Sequence, residues 1–210
     1  MHKNQEKLPE KVVERLSEYR QLLNIYQFTS SPYITSAGLA KLLSVTQETI
    51  RRDLMLLGCR KSSMKYGYNV HEIIELIDSR LDLGDDMIPV ALVGDCSAFV
   101  NTFITDYLGK KIEIAAVFNF GNQDNINLEF DLEIYNFTEI PRVVSEKKIE
   151  IALLNVSSDF TEQIAEILVK AGIKAIINYS PKRLFLPPDI YLEEVNLITK
   201  LEKAIYFSHS

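Results

Sequence analysis

The residues that begin at Thr46 are of types that can read DNA. Three uncharged polar residues and two adjacent arginines occur within seven positions: Thr46, Gln47, Thr49, Arg51 and Arg52. Gln and Arg side chains can form paired hydrogen bonds with base edges in the major groove, each worth about 1–3 kcal/mol. The simpler interpretation is a solvated helix face on which the arginines pair with Glu48. Residue types alone do not decide between the two.

Further cations follow in a polar run that ends at Tyr66-Gly67-Tyr68. They are Arg60, Lys61 and Lys65, and we expect them to lie on a basic hairpin wing. Cations on a wing can neutralise DNA phosphates, which makes binding depend on salt concentration. A basic wing beside the polar segment favours DNA binding over the solvated face.

A second candidate site begins where an apolar run, residues 88–94, ends in glycine. A dinucleotide fold carries its G-x-G-x-x-G loop at such a point, and the residues here are Gly94, Asp95, Cys96, Ser97, Ala98 and Phe99. Cys96 and Phe99 replace the second and third glycines, so their side chains should obstruct the pyrophosphate and the close helix–strand packing. Asp95 adds a negative charge where a helix N-terminus would favour a phosphate.

Asn119 follows the next predicted strand, at a position where an acid usually binds the ribose hydroxyls. An amide can still hydrogen-bond a hydroxyl, but without charge assistance. Judged from these residues alone, the dinucleotide signal is weak.

Other chemistry receives little support. A thiol at a helix N-terminus can become reactive, but Asp95 opposes that at Cys96, and we favour a small buried cysteine there. The second cysteine is Cys59, and His2, His71 and His209 are scattered, so neither a disulfide nor a metal site is expected. No nucleophile and base, and no pair of carboxylates, occur at a usable spacing.

The net charge of −6 over 210 residues is unevenly distributed. Residues 1–69 hold 11 Lys/Arg and 6 Asp/Glu, a net +5, whereas the other 141 residues hold 12 and 23, a net −11. This asymmetry is typical of a chain in which one domain meets phosphates. No apolar run approaches about 18 residues, and no signal peptide begins the sequence, so we expect a cytoplasmic protein that is not in the membrane.

Four predicted helices would position the DNA-binding residues. Apolar side chains recur every three or four positions over residues 9–28, 35–43, 46–57 and 70–81. In the third helix Thr46 is the predicted N-cap, Ile50 and Leu54 face inward, and Asp53 faces outward with the arginines. This order predicts a winged-helix DNA-binding domain over residues 1–84.

The pattern changes to short apolar runs after residue 87. Strands are predicted over residues 88–94, 112–118, 149–156, 175–179 and 190–195, and helices over 97–108 and 160–171. Alternation at this spacing predicts an α/β fold with a doubly wound parallel sheet. We assign residues 85–196 to a Rossmann-like domain and residues 197–210 to a C-terminal helix.

Several longer motifs occur in a specific order along nearly the whole chain. They are Ile50-Arg51-Arg52-Asp53-Leu54, Gly67-Tyr68-Asn69-Val70, Val90-Ala91-Leu92-Val93-Gly94 and Ile177-Asn178-Tyr179-Ser180-Pro181. This order resembles that of the Rex family of redox-sensing transcriptional repressors. The resemblance implies a homodimer in which the C-terminal helix swaps under the partner's DNA-binding domain. It also implies that NAD⁺ or NADH binds at Gly94–Phe99, Asn119 and Ser180, and that NADH releases the operator DNA.

The chain departs from the family pattern at the glycine-rich loop and at the swapped helix. Where the family uses an acid at the start of that helix as part of its conformational relay, this chain has Asn196, while Arg15, the expected relay partner, is retained. Two regulator hypotheses therefore stay open: a repressor that senses NADH, and a Rex-fold regulator that has lost NAD(H) binding and answers to another ligand or to none. A small Rossmann enzyme is the third, but it lacks both an acid/base pair and a substrate domain.

Overall fold

A computed structural model describes residues 7–29, 31–60, 66–81, 86–95, 112–119 and 132–208. The chain forms two compact units, Met1–Asp86 and Met87–Ser210, which are described separately. The division falls two residues beyond the boundary predicted at residue 84. Among the described residues, no helix is both long and apolar enough to cross a membrane.

The first unit contains four helices and a two-stranded antiparallel ribbon within its described residues. The elements are α1 (Glu10–Thr29), β1 (Tyr33–Ile34), α2 (Ser36–Leu43), α3 (Gln47–Leu56), β2 (Tyr68–Asn69) and α4 (Val70–Arg80). All four helices agree with their predicted ranges to within one residue at each end. The ribbon was not predicted; β1 pairs with β2 so that Ile34 lies opposite Tyr68.

Polar caps determine where the short helices begin. The Thr35 hydroxyl accepts a hydrogen bond from the Gly38 N–H, and the Thr46 hydroxyl accepts one from the Thr49 N–H. The Asn69 side chain caps α4 in the same way. These bonds satisfy N–H groups that a helix start leaves without partners. Ser44 adopts the left-handed conformation, with φ 53°, in the turn between α2 and α3.

The core of the first unit is assembled from all of its helices. Leu16 and Leu23 of α1, Ile50 of α3, and Ile73 and Ile77 of α4 are fully buried in a single apolar cluster. Burial of side chains of this size is the main favourable contribution to folding, about 1.5–3 kcal/mol for each one. The inward positions predicted for Ile50 and Leu54 of α3 are confirmed.

The second unit has a six-stranded, all-parallel sheet with the order β5-β4-β3-β6-β7-β8. Its strands are β3 (Ile88–Gly94), β4 (Ile112–Asn119), β5 (Ile134–Asn136), β6 (Ile151–Asn155), β7 (Ala175–Asn178) and β8 (Tyr191–Glu194). Its described helices are α5 (Ile140–Glu146), α6 (Thr161–Ala171) and α7 (Leu197–Ser208). The Rossmann-like prediction is confirmed, although β5 and α5 were missed. The helix predicted over 97–108 lies outside the described residues.

Both faces of the central strands are buried. Ala91 and Val93 of β3 belong to the cluster that packs against α5 and α6, whereas Val90 and Leu92 belong to a separate cluster on the opposite face. A strand buried on both faces has an unbroken apolar sequence, as a parallel sheet requires. This explains why residues 88–94 lack the polar alternation of a surface strand.

Gly94 lies at the end of β3, where the backbone of β6 comes very close. Its φ is +95°, and a Cβ atom there would lie 2.1 Å from the carbonyl oxygen of Asn155. Gly172, at the end of α6, has a similar φ of +105°, but a Cβ there would meet nothing within 4 Å. Both glycines have a left-handed backbone, but only at Gly94 would a side chain also clash with a neighbouring strand.

We predict that Gly94→Ala lowers the free energy of unfolding by about 3 kcal/mol or more, because the clash forces β3 and β6 apart. Gly172→Ala is the matched control and should cost only about 1 kcal/mol, the ordinary penalty for a left-handed alanine. Thermal unfolding of both variants beside the parent protein measures the difference. Equal losses would show that the approach of Asn155 imposes no constraint.

Candidate functional sites

The side chain of Asp53 is buried and lies at the centre of a polar network between α1 and α3. The Arg15 guanidinium donates two hydrogen bonds to the carboxylate, from Nε to Oδ2 at 2.9 Å and from Nη2 to Oδ1 at 2.8 Å. The Tyr19 hydroxyl donates a third to Oδ2, at 2.6 Å. The predicted outward position of Asp53 was wrong, because Asp53 is only 5% exposed. Sequence spacing does not reveal a partner located 38 residues earlier.

Arg15 and Tyr19 keep their protons across the physiological pH range. Hydrogen bonding to Asp53 raises the pKa of Arg15 above its usual value. Burial, together with the hydrogen bond to Asp53, raises the pKa of Tyr19 above its usual value. Arg15 is therefore charged, and Tyr19 is a hydrogen-bond donor, near neutral pH.

With Asp53 turned inward, both arginines of α3 lie on its outer face. Gln47, Glu48, Arg51 and Arg52 are exposed there, together with Met55. Glu48 and Arg52 form an ion pair, with 3.3 Å between Oε1 and Nε, and both side chains are more than 60% exposed. Exposed pairs of this kind contribute little to stability, so the pair leaves Arg52 able to bind a phosphate.

The uncharged residues of the same segment are engaged in local structure. The Thr46 hydroxyl caps α3 and also shares a hydrogen bond with the Thr49 hydroxyl at 2.9 Å. The Gln47 side-chain amide donates to the Ser36 hydroxyl, again at 2.9 Å, and so ties the start of α3 to α2. All three were predicted to contact bases. Their geometry assigns them to holding the turn between the two helices, and base contact stays a prediction.

The stem of the predicted wing is a tight crossing of chain segments. Gly67 has a φ of +87°, and a Cβ atom there would lie 2.4 Å from the carbonyl oxygen of Ile34. The rings of Tyr33 and Tyr66 are in contact beside it, with 5.8 Å between their centroids. Arg60 is exposed where the chain leaves α3, whereas Lys61 and Lys65 lie outside the described residues.

The charge asymmetry is smaller when it is counted over the two structural units. Residues 1–86 hold 12 Lys/Arg and 12 Asp/Glu, a net charge of zero, whereas residues 87–210 hold 11 and 17, a net −6. The difference from the sequence count comes from residues 70–86, which hold six acids and one arginine. The positive charge is therefore a property of residues 1–69, and not of the whole first unit.

The second candidate site lies at the carboxyl ends of β3 and β6, where the strand order reverses. Ligands of doubly wound sheets bind in the crevice outside such a reversal. The Asp95 N–H donates to the Asn155 carbonyl at 2.9 Å, and the Asn155 side-chain amide donates to the Asp95 carbonyl at 2.5 Å. These two hydrogen bonds join the residue after Gly94 to the end of β6. Cys96, Ser97, Ala98 and Phe99 lie outside the described residues.

Two more predicted cofactor residues lie at this edge of the sheet. Asn119 ends β4, is half-buried and lies opposite Asn136 of β5. Ser180 is buried; its hydroxyl accepts a hydrogen bond from the Val156 N–H at 3.0 Å, and its own N–H donates to Asn178 Oδ1. The Ser180 hydroxyl therefore joins the ends of β6 and β7, and its role in cofactor binding stays a prediction.

Asparagine is the last residue of four of the six strands, a pattern that was not predicted from the sequence. Asn136 caps the turn after β5, Asn155 bonds to Asp95, and the fully buried Asn178 donates to Glu194 and to the Lys182 carbonyl. Asn119 completes the set. A side chain that both donates and accepts suits a strand end, where the chain leaves the ladder and its backbone groups need partners.

Reactive thiols and metal sites find no support in the described part of the chain. Cys59 is buried, and burial with the nearby charge of Glu72 raises its pKa to about 11, which keeps it an unreactive thiol. His71 is exposed and pairs with Glu75. No group of three His, Cys, Asp or Glu side chains among the described residues could hold a metal ion.

Two family models match the chain, one in each unit. The model described as "Putative DNA-binding protein N-terminus" matches residues 7–54, which span α1 to α3. The model described as "CoA binding domain" matches residues 99–182, which include β4 to β7. The first match lies within the first structural unit and the second match lies within the second unit.

Curated relatives and solved structures match nearly the whole length. The redox-sensing transcriptional repressor Rex of Levilactobacillus brevis is 28% identical over 206 residues, covering 97% of this chain and 95% of the relative. RSP, a Rex-family repressor, in complex with β-NAD⁺ and operator DNA has a TM-score of 0.82 at 27% identity, covering 96% of this chain and 93% of that one. RSP in complex with β-NADH has a TM-score of 0.79 at 28% identity, covering 96% and 94%.

The exposed carboxylate of Glu48 on α3 leads to a prediction. Glu48→Gln removes a negative charge from the face that carries Arg51 and Arg52, and it frees Arg52 from its ion pair. We expect DNA binding to tighten about two- to fivefold, because phosphate binding depends on the local charge. Fluorescence anisotropy with a labelled duplex measures the change.

Glu75→Gln is the matched control, since it removes an exposed acid that pairs four residues away on α4 instead of α3. It should leave the affinity nearly unchanged. If both variants bind DNA as the parent does, the outer face of α3 is not the DNA-binding face.

Proposed function

The chain belongs to the Rex family of redox-sensing transcriptional repressors, and from this membership we propose that it represses transcription by binding operator DNA in response to the NADH/NAD⁺ ratio. The observation that carries the proposal is the exposed pair Arg51 and Arg52 on α3, the helix whose buried Asp53 bonds to α1. A repressor works where genomic DNA lies, so we propose a cytoplasmic location. Relatives that match nearly the whole chain carry the repressor name, and an enzymatic activity is not part of the proposal.

In this proposal α3 is the recognition helix. Its outward guanidinium groups would enter the major groove, while Arg60 and the wing lysines Lys61 and Lys65 would contact phosphates on either side. Thr46 and Gln47 would support the helix start, where their side chains already bond to Thr49 and Ser36. The similarity to RSP, which was solved in complex with β-NAD⁺ and operator DNA, supports DNA binding by a chain of this fold.

NAD⁺ or NADH would bind outside the carboxyl ends of β3, β4 and β6. The described residues fit such a ligand at two points: Gly94 turns the chain sharply at the strand reversal, and Asn119 ends β4 where ribose hydroxyls are bound in this fold. NAD⁺ and NADH differ in oxidation state, so the form that is bound would carry the redox signal. Asp95, Ser180 and the loop residues Cys96, Ser97, Ala98 and Phe99 complete the proposed site.

We propose a homodimer held in part by α7. No residue of this helix is buried within the chain, and its exposed side chains include Leu197, Ile198, Leu201, Ile205 and Phe207. Exposed apolar surface of this extent marks an interaction site. Exchange of α7 between two protomers would cover it and would place one chain's C-terminal segment against its partner.

A second candidate is a regulator of the same fold that does not bind a dinucleotide. The observation in its favour is that Asn155 alone accounts for the glycine at position 94, since its carbonyl oxygen excludes any Cβ there. Gly94 would then be required with or without a phosphate. A direct cofactor titration distinguishes the two candidates.

We predict that the double substitution Arg51→Ala and Arg52→Ala weakens operator binding at least about a hundredfold, because the surface that faces the groove loses two charged side chains. An operator duplex selected from a random library by the parent protein serves as the probe. Sedimentation of the variant controls for the oligomeric state, which should not change. Unchanged affinity would mean that α3 is not the recognition helix.

We predict that NADH becomes more fluorescent when it binds the protein. Binding should also raise the melting temperature of the protein, because a ligand that binds the folded state stabilises it. NAD⁺ should stabilise the protein in a parallel melting experiment. Absence of both responses at millimolar concentrations would exclude cofactor sensing and favour the second candidate, while leaving DNA binding intact.

A further inference from the structure

We propose that Arg15, Asp53 and Tyr19 are positioning residues for DNA recognition: they contact no DNA, but they fix the rotation of α3 about its own axis. The inference rests on the proposed function, in which Arg51 and Arg52 bind operator DNA. It adds a determinant of sequence discrimination that lies behind the recognition helix, in the contact between α1 and α3.

Successive residues of a helix are about 100° apart, so the direction of Asp53 determines the directions of Arg51 and Arg52. At the radius of side-chain tips, a rotation of α3 by 10° moves a guanidinium by about 1 Å. That shift is enough to spoil a paired hydrogen bond to a guanine, whose geometry is strict.

The apolar contacts of α3 do not define its rotation as closely as hydrogen bonds do. Ile50 and Leu54 anchor α3 through apolar contacts, which are not directional and tolerate small shifts. The Asp53 carboxylate instead receives a two-pronged guanidinium at 2.9 and 2.8 Å and a hydroxyl at 2.6 Å. Three charge-assisted hydrogen bonds to one carboxylate define an orientation.

A buried ion pair is often no more stabilising than apolar side chains of the same volume, because both ions lose their hydration. Asp53 is 5% exposed in a helix whose neighbouring inward positions are apolar, so stability alone does not require an acid there. A requirement for one defined orientation of α3 accounts for it.

Arg15 is also engaged within its own unit. Its Nε and Nη2 groups donate to Asp53, and its Nη1 group donates to the Lys11 carbonyl at 3.1 Å. These bonds connect Arg15 to α3 through Asp53.

The chain supplies a matched control in Arg20, which also belongs to α1. Arg20 pairs with Asp78 of α4, and both side chains are partly buried, at 16% and 21% exposure. This pair ties α1 to α4, which is not the recognition helix. Its loss should affect stability in a similar way, without rotating α3.

The test compares Arg15→Lys, Tyr19→Phe and Arg20→Lys in the full-length chain. Lysine keeps the charge of Arg15 but lacks the planar guanidinium that donates two parallel hydrogen bonds, and phenylalanine removes only the hydroxyl of Tyr19. For each protein we would measure the dissociation constants for the selected operator and for a non-cognate duplex of equal length. The melting temperature of each variant reports its folding.

We expect Arg15→Lys to lower the ratio of operator to non-cognate affinity about tenfold, with non-cognate affinity changed by less than about twofold. Tyr19→Phe should lower the ratio by a smaller factor, and Arg20→Lys should keep it despite a reduced melting temperature. The proposal is overturned if Arg15→Lys and Tyr19→Phe both keep the parent ratio, or if Arg20→Lys loses it equally. If the parent itself does not discriminate between the duplexes, the proposed function fails and this inference with it.

Discussion

The burial of one carboxylate, that of Asp53, determines which face of α3 the DNA-binding unit exposes. An ionised acid inside an apolar core is tolerated only when charged or polar donors satisfy it. Arg15 and Tyr19 of α1 supply those donors, so α3 has to pack with Asp53 against α1. Arg51 and Arg52 then necessarily face outward. The chemistry proposed for the outer face of α3 is thus a consequence of a polar contact on its inner face.

A second constraint, of a steric kind, shapes the Rossmann-like unit. The Asn155 carbonyl lies where a Cβ of residue 94 would be, so only glycine can end β3 while β6 stays in register. Glycine at this position is usually ascribed to the tight turn before a bound dinucleotide. Here strand packing requires it as well. The residues that discriminate between a cofactor site and a regulator without one are therefore those beyond Gly94, together with Asn119.

Much of the fold could be predicted because its determinants are local. Apolar spacing and the cap residue Thr46 located α3 to within one residue, and the apolar run that ends at Gly94 located β3. Three of the missed elements, β1, β2 and β5, have only two or three residues, too few for a period to show. The orientation of Asp53 was wrong because a charged residue is normally exposed, and its partner Arg15 is adjacent only in the folded chain. The hydrogen bonds of Gln47 and Ser180 were hidden for the same reason.

In the function that we propose, the cofactor and operator DNA bind to one protein whose two sites are coupled. Thermodynamic linkage makes such coupling reciprocal: if NADH weakens operator binding by some factor, the operator must weaken NADH binding by the same factor. The direct measurement is the NADH dissociation constant, from NADH fluorescence, with and without a saturating operator duplex. We expect a weaker NADH affinity with the operator, by a factor of about 5–150 that equals the effect of NADH on operator binding. An NADH affinity that the operator leaves unchanged would contradict it.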